Sequence, residues 1–338
     1  MESESVLRLG LFFAGALAEH MTIAMYWVWL PGFVLSAWVA LRYAALADEG
    51  VRRSGDGGPR PILWGALVGL TLSPNRREGL EASLNLLREG RHPATALAAY
   101  LASRTLAPYL LAIWTLLLGI EFAVGQVVGA AAMILLVSAG LRYAAPEAEW
   151  ARARGRLRTC RSSKEAAHGE GGETSWRALL LSGRGWRRTL RHVGREGRRS
   201  VPPLAAGVLA GGFILAAGVQ PWWVDLAYVG GGGLRTDLLN AFVAPALSLV
   251  SAIGPVGSLP VASNLFSAYG LAYPGVVAFV LAGALKPQDL SSLGRALGWR
   301  LALRLGALLY LSAGVAGLVA TGAFALFGFR PGHVPLFR

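Results

Sequence analysis

The chain holds a single cysteine, Cys160, among 338 residues. That excludes a disulfide within the chain and a cysteine-built metal cage. Charge is also scarce: 15% of residues are Asp, Glu, Lys or Arg, against about 25% in soluble domains. No metal-ligand spacing, nucleotide loop or nucleophile–base set is present, so neither an enzyme nor a metal or other cofactor is expected. The run Gly230–Gly233 lacks the Lys-Ser/Thr that a phosphate loop needs. The first residues, MESESVLRLG, are acidic rather than basic. They make a poor signal peptide, and the first apolar segment is expected to stay as a membrane helix.

What fills the sequence instead is apolar. Hydrophobic residues make up 54%, and mean hydropathy is +0.48. Uncharged runs cover Met21–Leu41, Thr105–Ile120, Phe122–Leu141, Val201–Val224, Leu238–Leu285 and Leu305–Phe329. A helix needs about 20 apolar residues to cross the hydrocarbon core. A membrane β-barrel would show alternation in segments of about ten, which these runs lack. The expected fold is an all-α, polytopic bundle of roughly eight to ten membrane segments, multi-pass in the inner (plasma) membrane.

The net charge of +13 sits mostly in one place. Arg142–Arg199 carries 15 Lys and Arg against six Glu, a balance of +9. Concentrated between two apolar halves, this charge does not point to nucleic acid. A basic loop tends to remain cytoplasmic and has anionic lipid headgroups within reach. Three parts follow: an N-terminal membrane half, 1–144; a basic cytoplasmic loop, 145–200; and a C-terminal membrane half, 201–338. Within the loop, Trp176, Trp186 and paired arginines suit an interfacial helix, and a solvated, partly disordered loop is the alternative. Gln220-Pro221-Trp222-Trp223 reads as an interfacial anchor.

In the first half, Leu7–Leu46 is long enough for two spans or for one kinked at Pro31. Pro61–Asn75 and Pro93–Ser103 are only half a span each. Between them Leu80, Leu84 and Leu87 mark one face of an amphipathic helix. An internal repeat is visible. Asn85–Ser103 reads NLLREGRHPATALAAYLAS, and Asn264–Gly283 reads NLFSAYGLAYPGVVAFVLAG. Gly90 aligns with Gly270 and Ala98 with Ala278, with one gap.

The stretch SAIGPVGSLPVASNLFSAYG, Ser251–Gly270, lies inside the uncharged run from Leu238 to Leu285. Gly254, Pro255, Gly257 and Pro260 oppose one unbroken helix, because proline lacks a donor and clashes with the preceding turn. A hairpin or discontinuous helix interrupted at Gly254–Pro260 is expected. In lipid such backbone survives only when buried in protein or lining a wet cavity. Paired interrupted segments point to a transport site at their interface. The expected solute-binding residues are Ser251, Gly254, Pro255, Gly257, Ser258, Pro260, Ser263 and Asn264, with Asn85 from the first half. Small and hydroxyl residues also let membrane helices pack closely, which is the alternative for each serine. Ionisable residues at membrane depth are functional by default. Glu19, His20, Glu121 and Asp237 are therefore the candidate proton-coupling groups. For Glu121, Asp237 and Lys286 a place at the membrane surface is the alternative.

These glycine and proline positions resemble the predicted-permease family that includes the organoarsenical efflux permeases of the ArsP type. The matching residues are Leu259-Pro260-Val261-Ala262, Gly270, Pro274 and Ala278–Gly283, and more weakly Gly90, Pro93, Ala96–Ala98 and Leu101–Ser103. The resemblance implies a permease architecture and transport. Arsenical-transporting members carry Pro-Cys-Ser-Cys-type pairs in the broken segments. Here those regions read Ser73–Arg77 and Val250–Pro255. Without a cysteine there, thiolate capture of a soft metal species is not implied; Arg76 and Arg77 would favour an anion if they face the pathway, a membrane-surface position being their alternative.

The sequence thus predicts a permease that moves a small polar or anionic solute by alternating access, with proton-coupled efflux as the coupling considered. Its partners are membrane lipids and that solute, with self-association left open. The rival is a non-transporting membrane scaffold acting through the basic loop.

Overall fold

A computed structural model describes residues 2–24, 30–53, 58–72, 78–159, 175–216, 233–251, 253–267 and 270–329. Among them the chain is helical, without strands. In order the helices are α1 (Glu2–Ala24), α2 (Leu30–Arg53), α3 (Pro59–Leu70), α4 (Glu78–Arg88), α5 (Pro93–Thr105), α6 (Pro108–Leu118), α7 (Ile120–Ala144) and α8 (Glu147–Thr159). Then come α9 (Trp176–Leu181), α10 (Gly183–Ala216), α11 (Leu234–Ser251), α12 (Pro255–Ser267), α13 (Tyr273–Ala282), α14 (Pro287–Leu297) and α15 (Trp299–Leu326).

Three of these, α2, α7 and α15, are long and apolar enough to cross a membrane alone. The pair α5–α6, bent by 42° at Leu106-Ala107, passes the same test as one span. Helix α13 is apolar but about half that length, and α3 and α12 are similarly short. Pro31 is the second residue of α2, and the choice between two spans and one helix kinked there falls on residues 25–29, outside the described residues. The structure differs from the sequence expectation in two places. The uncharged run Thr105–Ile120 is not one straight span: its helix α6 stops at Gly119 and meets α5 at the bend. And α10 runs unbroken from the basic segment through Pro202 and Pro203 into apolar sequence. Gly233 is a bend ahead of α11; Trp222 and Trp223 lie outside the described residues.

The long helices α7 and α15 run antiparallel: Gly140 abuts Leu308, and Gly129 abuts Ala316. At one end α8 closes the bundle, with Arg304 donating to Ala144 and Glu149, and Arg88 to Leu157. This is the basic end. At the other end, Glu121, Tyr273, Phe266 and Phe324 gather around the start of α7.

The half-length helices fill the space between. Gly65 touches Thr95 and Gly69 touches Ala99 and Ala102, so α3 runs alongside α5 in the same direction. Gly79 meets Ser103, so α4 runs back the other way. Helices α3 and α4 therefore form a hairpin open at the basic end. Its amphipathic helix buries Leu80 and Leu87 and half-buries Leu84, as the spacing predicts. In the second half, Asn240 packs at Gly275 and Gly254 at Lys286, so α11 accompanies α13. Pro255 and Ser258 sit by Gly283, while Phe266 packs on Phe122, so α12 returns to the opposite end. Every residue of α5 and of α13 is buried. Helix α13 is apolar on all faces, as a core helix is; α5 is buried beside the same core although it carries Tyr100, Ser103 and Arg104.

Candidate functional site

The interruption in the second half is narrower than Gly254–Pro260. Helix α11 ends at Ser251 and α12 begins at Pro255. Pro255 occupies the first helical position, where proline is tolerated. Pro260 then lies inside α12 and does not break it. The hairpin tip is therefore Ala252–Gly254, of which Ala252 is outside the described residues.

Gly254 and every residue from Pro255 to Ala262 are buried. Ser258 Oγ donates to the Pro255 carbonyl at 2.8 Å, and Ser251 Oγ to Ser248 at 2.8 Å. These hydroxyls are satisfied by their own helices. Ser263 Oγ reaches the Leu117 carbonyl on α6 at 3.5 Å. Asn264 is different: it is 6% exposed and its Nδ2 has no hydrogen-bond partner, while lying against Gly211 of α10. A buried polar group without a partner costs about 1–3 kcal/mol. Such a group calls for a partner, a water or a solute among them.

Asn85 lies elsewhere. It is half-buried near the basic end, where its Oδ1 accepts from Arg88 Nη1 at 2.7 Å. The candidate proton carriers also spread out. Glu19 is exposed on α1, and the side chain of His20 lies outside the described residues. Glu121 is half-buried at the start of α7, where its carbonyl accepts from Tyr273 at 2.9 Å. Asp237 is half-buried in the first turn of α11. Ser73–Arg77, including Arg76 and Arg77, and Cys160 lie outside the described residues. Among the described residues, no group of three His, Cys, Asp or Glu is placed to hold a metal.

Of the charges nearest the broken segments, the sequence singled out Lys286, as a candidate for the membrane surface, but not Arg104 or Asp289. Lys286 caps the start of α14, and its ammonium lies against Gly254, over the hairpin tip. Arg104, in the last turn of α5, pairs with Asp289, in the first turn of α14, at 2.8 Å. Both side chains are about 2–3% exposed. The Tyr100 hydroxyl points at the Ala284 carbonyl and lies 3.3 Å from Asp289 Oδ2. Arg104 and Asp289 each complement their helix, a cation at a C-terminus and an anion at an N-terminus, whereas Lys286 is a cation at an N-terminus. Gln126 on α7 donates to the Thr105 carbonyl at 3.2 Å, and its Oε1 has no partner.

The signal for these residues was present. Arg104 and Lys286 each stand next to an uncharged run, and a charge beside such a run reads as the edge of a membrane. Where the helix spans only half the distance, that edge is inside the protein. Two crevices open elsewhere, at the basic end: one of about 460 Å³ bounded by Glu49, Arg53 and Trp64, and one of about 210 Å³ bounded by Arg152, Arg156 and Trp299.

No curated protein and no solved structure matches the chain. A family model described as a predicted permease matches it over residues 11–322. The match takes in both hairpins, both core half-helices and the long helices α7 and α15, and the chain belongs to this predicted-permease family.

Proposed function

We infer that the protein carries a small anionic solute across the membrane by alternating access between two inverted halves. The observation that carries this is the pair of hairpins. The α3–α4 hairpin opens toward the basic end, and the α11–α12 hairpin toward the opposite end. Interrupted segments entering from opposite ends are the mark of inverted repeats, whose solute site lies at their interface.

The repeat extends beyond the aligned sequence. Gly90 and Gly270 both have positive φ, 88° and 66°. So do Gly119 and Gly298, at 107° and 104°, each ending one helix and opening the next. Pro108 and Pro287 both open a helix. The single gap in the alignment falls where the turns differ: Arg91 N–H bonds Leu86, five residues back, whereas Leu271 bonds Leu265, six back. The pairings α3 with α5, α4 with α5, and α5 with α7 recur as α11 with α13, α12 with α13, and α13 with α15.

An anion is favoured because Lys286 and Arg104 bring two cations, against the one carboxylate of Asp289, to the broken helices of the two halves. The buried stretch from Gly254 through the first turns of α12 to Ala262 suits an occluded arrangement in which neither end reaches the site. The arginine-rich loop supports a cytoplasmic side for the basic end, in an inner (plasma) membrane. The exposed arginines of α10, among them Arg184, Arg187 and Arg188, suit contact with anionic headgroups.

The test is transport by the full chain in sealed vesicles. A panel of inorganic and carboxylate anions should include at least one whose uptake or release needs the protein. Lys286→Gln should reduce that movement by about tenfold or more, the effect of losing roughly 1.4 kcal/mol of binding. Movement of neutral solutes alone, unchanged by Lys286→Gln, would refute the anion reading.

A further inference from the structure

We propose that Asp289 is the proton-carrying carboxylate of this permease, with Arg104 as the counter-charge that its protonation releases. The proposal rests on the transport reading above and deepens it.

The pair joins the halves at their discontinuities. Arg104 stands two residues before the bend at Leu106-Ala107, and Asp289 three residues after the break that ends at Lys286. Pairing charges in this way is poor structural economy. Desolvating two ions costs several kcal/mol each, and a hydrophobic pair of equal volume is often as stable. Inside a membrane protein, charges of this kind mark ion pathways and relays.

The partners differ in what they can do. A guanidinium does not lose its proton in proteins. A carboxylate can gain one, so Asp289 is the member of the pair that can change state. Around it, α5 presents Arg104 and Tyr100, and its own element begins with Lys286. Helix α15 packs through Leu290 against Gly306, and α8 reaches only the far end of α14, where Arg156 meets Leu297. Tyr100 has one proton and two acceptors, the Ala284 carbonyl and Asp289 Oδ2. It is therefore a positioning residue, tying the carboxylate to the break after α13.

In the proposed cycle a proton from water on one side adds to an Asp289 oxygen. The carboxyl becomes neutral and its ion pair with Arg104 is lost. Arg104 keeps its charge, and an anionic solute takes the carboxylate's place beside it. When the proton leaves toward the other side, the carboxylate reclaims Arg104 and displaces the solute. No covalent bond to the solute forms, and one proton moves per anion.

The experiment reads conformation rather than transport, so it needs no identified solute. The full chain carries Cys160→Ser and Ser251→Cys, which puts the one thiol at the hairpin tip. Reconstituted protein is labelled from each side with a membrane-impermeant maleimide, in acidic and in alkaline buffer. The expected result is a ratio of the rates from the two sides, taken with the same pH on both so that the thiol's own ionisation cancels, that changes by about tenfold or more with pH. Asp289→Asn should hold it at the acidic value throughout. Asp289→Glu should restore the change with a displaced midpoint, and it serves as the readout should the asparagine variant fail to fold. A pH response that persists unaltered in Asp289→Asn, and in the Arg104→Gln/Asp289→Asn double variant, overturns the proposal while leaving the carrier intact. A tip that no reagent reaches from either side overturns both.

Discussion

At the scale of single residues, the informative ones are those whose neighbours do not suit them. His192 lies on the basic part of α10, beside Arg195 and Arg199. Burial, then those two cations, hold its imidazole down at about 4, from an ordinary 6.5. The folded protein thus keeps His192 neutral where the unfolded chain would protonate it. Stability contributed by this group is complete above pH 6.5 and is lost as pH falls from there toward about 4. The loss is on the order of 2–3 kcal/mol over that window, at 1.36 kcal/mol per unit. His192→Gln should flatten the dependence, measured as melting temperature against pH in detergent; an unchanged slope would mean another group titrates. Asn264 offers a second test. Asn264→Leu removes an orphaned Nδ2 and should raise stability by about 1 kcal/mol, while anion movement falls. A variant that is stabilised and fully active would remove Asn264 from the site.

At the scale of elements, close approach explains the small residues. Helix α10 crosses α12 where Gly207 and Gly257 face each other, and a Cβ on Gly257 would run into the Pro203 carbonyl. Contact this tight is how membrane helices associate without a hydrophobic driving force. Gly257→Ala should therefore cost about 1–3 kcal/mol by overpacking, read as a lower melting temperature. Gly15, with open space around it, should accept alanine without loss. The same crossing shows what was legible beforehand. Helical class, the amphipathic α4 and the broken second-half segment follow from apolar run lengths and from Gly254-Pro255. The role of Gly257 and Pro260 did not follow. Both read as breakers, yet one makes a helix crossing and the other is absorbed within α12. Local propensity does not reveal which neighbour a residue will meet. The pairing of Arg104 with Asp289 was illegible for a related reason. They lie 185 residues apart, and only the folding of two half-length helices against each other turns two apparent membrane edges into one buried pair.

At the scale of the whole molecule, the inverted arrangement makes a claim about sidedness that composition alone does not. Two parallel halves would put the loops after α4 and after α12 on the same side of the membrane. Two inverted halves put them on opposite sides. Glu89, just after α4, and Ser267, at the end of α12, are both exposed and suit replacement by cysteine. In a Cys160→Ser background, Glu89→Cys should react with an impermeant maleimide only from the side that bears the arginine-rich loop, and Ser267→Cys only from the other. The physical reason is the backbone: a hairpin that enters and leaves by one end satisfies its amides inside the protein and never exposes its tip to lipid. Because each hairpin is then anchored to its own side, moving one half against the other changes which side the tips face without carrying any loop across the bilayer. Labelling of both cysteines from a single side would leave no inverted pair to rock, and the alternating-access reading would fall with it.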